Sequence, residues 1–151
     1  MADGVYLHNR WLERIYIHHK VSCTLSVKLI TELNYVSMAK IPREVTAIIN
    51  NLKQQALDIV EEASALESTL FEAFGETEAT IPYLDEVKTV VDDAESSFSR
   101  LSTLQLQIAK AQPIAPGDIL ELMNRSIART QARIPAWERS IQEVKLEWNL
   151  P

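Results

Sequence analysis

At 151 residues, 46% hydrophobic and 24% charged, the chain is about one domain in size, long enough to bury a core and too apolar to be disordered. Its net charge of −6 is uneven: residues 1–41 hold five basic and three acidic side chains, residues 42–112 five and thirteen, and residues 113–151 five of each. A phosphate-backbone binder needs a basic footprint that the middle of this chain would repel, so nucleic acid is not an expected partner.

The first 40 residues form an amphipathic segment with two readings. From Ile15 to Leu29 the odd positions run Ile, Ile, His, Val, Cys, Leu, Val, Leu between polar even positions, which is a strand signal. Ile17, Val21, Leu25, Leu29, Leu33 and Val36 also recur at helical spacing. No second strand is visible, and a lone strand leaves its backbone groups unpaired. The expectation is a helix, with an extended strand paired to a partner chain as the alternative.

From Pro42 the pattern is unambiguous. Val45, Ile49, Leu52, Ala56, Ile59, Ala63, Leu66, Leu70 and Ala73 alternate steps of four and three, the a/d seam that keeps one helical stripe against a partner. Pro42 suits the first turn and Gly75 the residue past the end, so the spacing predicts a helix over 42–74, roughly 50 Å long. After the polar stretch GETEA, Thr80 is the expected cap of a second helix over 81–111, with Pro82, Asp85 and Glu86 near its positive end. Its seam is Leu84, Val87, Val91, Ala94, Phe98, Leu101, Gln105 and Ile108, and Pro113 stops it. Pro116 opens a third helix over 116–148, with the seam Leu120, Met123, Ile127, Thr130, Ile134, Trp137, Ile141, Val144 and Trp148. The register runs through Pro135, which predicts a kinked helix; a break at Ile134 is the alternative.

Three helices of similar length with short connections predict an all-α fold, an antiparallel coiled-coil-like three-helix bundle over 41–151 with residues 1–40 as a separate segment. Only three glycines occur, which suits long helices with few turns. Folding the seams about the two turns brings Ala56 near Phe98 and Thr130, and Ala63 near Ala94 and Ile134. Large residues thus face small ones. Cys23 is the single cysteine, which excludes an internal disulfide and suits a reducing, intracellular compartment. The N-terminus lacks the pattern of a secretory signal, and no apolar run is long enough to insert in a membrane.

Candidate chemistry is sparse. His8, His18, His19 and Cys23 match no zinc spacing, so no metal or cofactor is expected. Arg14 and His19 form Arg-x-x-x-x-His, a spacing that resembles the motif of helical nucleases of the HEPN family. That resemblance implies RNA cleavage, with His19 near the scissile phosphate and Arg14 stabilising developing charge. Ile119, Arg125, Ile127, Pro135 and Trp137 faintly resemble the post-hairpin segment of a Mediator middle-module subunit, with no counterpart for the N-terminal third. Arg125, Arg129 and Arg133 recur every four residues and make one cationic stripe. The stripe either binds an acidic partner or pairs with nearby acids such as Asp92, Asp93 and Glu95. Trp137 and Trp148 fall in a seam; Trp148 and Trp11 are candidates for partner contact, because tryptophan is enriched at binding hot spots. Gln105 and Thr130 are polar residues that either fix register or sit at a seam edge.

The expected function is therefore a non-catalytic helical interaction module, a subunit or adaptor that engages other protein chains or a second copy. A HEPN-type helical RNase and an acidic inhibitor- or immunity-type regulator are the alternatives.

Overall fold

Pro42 stands immediately before the first helix, with an extended backbone (φ −54°, ψ 146°) and a carbonyl that accepts the Thr46 N–H at 2.9 Å. A computed structural model describes residues 40–151 of the chain. They fold as three helices, α1 (Arg43–Phe74), α2 (Ile81–Lys110) and α3 (Gly117–Glu147), and every pair of helices packs together. The expected helix or strand within residues 1–39 lies outside the described residues.

Three cross-links define the arrangement. Lys53 in the first half of α1 reaches Gln105 near the end of α2, its Nζ 3.4 Å from Oε1. Those helices therefore run antiparallel. Arg133 of α3 pairs with Asp93 of α2, and Lys145 near the end of α3 meets Glu62 of α1 at 2.9 Å. The bundle runs up, down and up, so α1 and α3 end at the same pole.

The α1 seam is buried from Val45 to Leu70 as expected, with Ile49, Ala56, Ala63 and Leu70 wholly inaccessible. Its last member, Ala73, is exposed, one residue before the helix ends. On α2 the buried stripe is Val87, Val90, Ala94, Leu101, Leu104 and Ile108. Val90 and Leu104 thus replace the expected Val91 and Gln105, while Leu84 and Phe98 are half-buried. Both choices alternate by three and four, and a helix touching two neighbours buries a stripe wider than one seam. Gln105 is an edge residue, and its amide receives Lys53.

The α3 seam is buried from Met123 to Val144, with Leu120 and Trp148 half-buried and Ser126 added. Thr130 does not reach across the bundle. Its hydroxyl donates to the Ser126 carbonyl at 2.9 Å, and Ser126 donates to Leu122 at 2.8 Å. Both buried hydroxyls are satisfied within α3, so neither sets the register between helices. The helix is continuous through Pro135, which removes the alternative of a break at Ile134.

The connections depart most from expectation. Thr80 does not cap α2 in the ordinary way. It is buried, its backbone is already helical, and its hydroxyl donates to the Gly75 carbonyl at 2.8 Å. The cap stands one turn earlier: the Thr80 N–H donates to Thr77 Oγ1 at 3.2 Å, while the Thr77 N–H donates to Thr80 Oγ1 at 2.8 Å. This is a reciprocal capping box with threonine in the place usually held by glutamate or glutamine. Asp85 and Glu86 consequently lie beyond the first turn, where the helix dipole is weak. Between α2 and α3, the Gln112–Pro113 peptide is cis.

Candidate interaction surface

The pole where α1 ends, α2 begins and α3 ends is shaped by three local devices. Gly75 turns the chain out of α1 at φ 69°, ψ −174°, a region open almost only to glycine, and its N–H closes on the Phe71 carbonyl at 2.8 Å. The threonine box then starts the turn into α2. Asn149 ends α3 at φ 50° in a Schellman motif: the Leu150 N–H donates to the Lys145 carbonyl at 2.9 Å and the Asn149 N–H to that of Leu146 at 3.3 Å.

These turns bring aromatic rings together. Trp148 lies 4.7 Å from Phe74, centroid to centroid, and meets Tyr83 edge-on at 5.6 Å. The Trp148 indole nitrogen is buried without a hydrogen-bond partner. Phe71, one turn before Phe74 on α1, is 54% exposed; Phe74 is 42% exposed, and Ile81 at the start of α2 is 40% exposed. Leu146, at the same pole on α3, is 79% exposed.

Acidic residues neighbour these rings in sequence at the same pole. Glu67 is one turn before Phe71, Glu72 is in the last turn of α1, Glu76 and Glu78 are in the connection, and Glu147 precedes Trp148. None of the five has an ion-pair partner among the described residues. The last turn of α1 holds no basic residue, so the negative end of its dipole is uncompensated there. Lys145, the base in the last turn of α3, is engaged by Glu62.

The arginine stripe is divided among three environments. Arg133 pairs with Asp93 and lies 5.7 Å from the ring of buried Trp137. Arg125 pairs with Glu121 of its own helix at 3.3 Å, and Arg129 is exposed. Of the described residues expected to meet a partner, Trp148 alone sits in the aromatic group. Phe71, Phe74, Tyr83 and Leu146 were not singled out. Their signal in the chain is bulky side chains off the seam in the last turns of α1 and α3 and the first turn of α2.

Trp11, Arg14, His8, His18, His19 and Cys23 lie outside the described residues. Among the described residues no three metal-ligating side chains converge, and no helix is long and apolar enough to cross a membrane. No protein-family model, curated protein or solved structure matches the chain.

Proposed function

We propose that the chain is a non-catalytic helical interaction module, a subunit or adaptor of a larger assembly, and that it engages another protein chain through the aromatic pole of its bundle. One observation carries this reading: Phe71 and Phe74 stand exposed one turn apart at the end of α1, and the Phe74 ring lies against the half-buried Trp148. Single exposed apolar residues are ordinary, whereas adjoining aromatic rings at an exposed site are what interface hot spots use.

The test compares proteins co-purifying with the full chain and with its Phe71→Ser variant, each expressed at the same level in the source cells. A Leu106→Ser variant, altering an exposed leucine near the end of α2, serves as control. The reading expects a partner retained by the parent and the control and lost by Phe71→Ser. Identical sets of proteins with all three would sink it.

The acids around the pole, without cationic partners among the described residues, favour a second reading, an acidic inhibitor-type regulator that covers a basic surface. Its mark is steep weakening of partner binding as salt rises, where apolar docking would change little.

A further inference from the structure

Resting on the interaction reading above, we infer the chemistry of the partner: the aromatic pole takes an amphipathic segment of another protein, with apolar anchors on one face and Lys or Arg side chains flanking them. Phe71, Phe74 and the edge of Trp148 offer apolar and aromatic area to the anchors. Around them Glu67, Glu72, Glu76, Glu78 and Glu147 lack cationic partners among the described residues. Like charges crowded at one pole repel each other, and an incoming cation relieves several such contacts at once.

Helix polarity adds to this. The carbonyl ends of α1 and α3 lie at this pole beside the single amino end of α2, so two of its three helix ends favour cations. The last turn of α1 supplies none and carries Glu72 instead. A basic side chain on the partner would fill the place that a lysine or arginine of α1 usually takes.

A second copy of the chain fits less well, since two identical acidic poles would repel each other. Residues 1–39 lie outside the described residues, and the experiment below tests them as an occupant directly.

The test uses the full chain and three labelled 18-residue peptides in fluorescence anisotropy. One carries leucine at helical amphipathic spacing with lysine elsewhere, the second has glutamate in place of lysine, and the third is a scramble of the first. The Leu/Lys peptide is expected to bind at least about tenfold more tightly than the other two, because only it matches both the apolar face and the charge. Phe71→Ser should weaken it about tenfold. Glu72→Lys with Glu76→Lys should weaken it and flatten its salt dependence.

Equal binding of the Leu/Glu or scrambled peptide, or indifference to both variants, overturns the inference. So does a parent that self-associates in sedimentation where Phe71→Ser is monomeric, because the occupant is then a second copy. A spin label on Cys23, the single cysteine, covers the remaining occupant: broadening of the Phe71 and Trp148 amide signals in the monomer would assign the pole to the chain's own N-terminal segment.

The outcomes separate from those of the interaction reading. A cellular partner lost with Phe71→Ser but no preference for the Leu/Lys peptide rejects the basic chemistry alone; no cellular dependence on Phe71 rejects the reading beneath it.

Discussion

Thr77 and Thr80 donate to each other: the Thr77 N–H reaches Thr80 Oγ1 at 2.8 Å, and the Thr80 N–H reaches Thr77 Oγ1 at 3.2 Å. The Thr80 hydroxyl spends its one proton on the Gly75 carbonyl, so a single buried side chain joins the end of α1 to the start of α2. Thr80→Val keeps the shape and removes both bonds, leaving the Thr77 N–H and the Gly75 carbonyl short of partners. The expected loss is about 1–3 kcal/mol of unfolding free energy, measured as a lower urea midpoint at unchanged slope. A midpoint equal to the parent's would mean that water replaces the hydroxyl without loss.

Gly75 has room for a methyl group, as nothing lies within 4 Å of where a Cβ would stand. Its φ of 69° with ψ near 180° is nonetheless costly for any residue with a Cβ. Gly75→Ala is therefore expected to cost about 1–3 kcal/mol through backbone strain alone. Thermal unfolding by circular dichroism checks it, and a melting temperature unchanged from the parent would contradict this turn geometry.

Ala63 and Ala73 are seam positions of identical chemistry and different fate. Ala63 is wholly buried, so Ala63→Leu overfills a packed layer and should cost about 1–3 kcal/mol. Ala73 is exposed in the last turn, so Ala73→Leu should stay within about 0.5 kcal/mol of the parent. Equal losses from both, in parallel urea titrations, would place the end of the packed seam beyond Leu70.

The Asp93–Arg133 pair fixes the relation of α2 to α3 more than it stabilises it, because about a third of each side chain remains exposed. Asp93→Asn is expected to lower stability by less than about 1 kcal/mol, and 1 M salt should shrink that difference. A loss well above this, indifferent to salt, would show the pair acting as a buried one.

The heptad alternation determined that three long helices follow Pro42, the prolines and Gly75 marked where they begin and end to within a residue or two, and the short connections folded them back on one another. Such alternation has one physical use, to keep an apolar stripe turned to a neighbour, so its presence three times over was sufficient. The Schellman ending at Asn149 and the Thr77–Thr80 box also had legible marks, an asparagine after the last seam residue and a Thr-x-x-Thr before the second helix.

Only the tertiary structure decided which side of α2 is inward. Val90 and Val91, like Leu104 and Gln105, satisfy the same periodicity, and the choice between them depends on where two neighbouring helices stand. It also decided that Phe71, Phe74, Tyr83 and Trp148, far apart in the chain, gather at one acid-bordered pole. Periodicity orders residues around a single helix; it carries no information on which helix ends share a pole, because that depends on the turns between them.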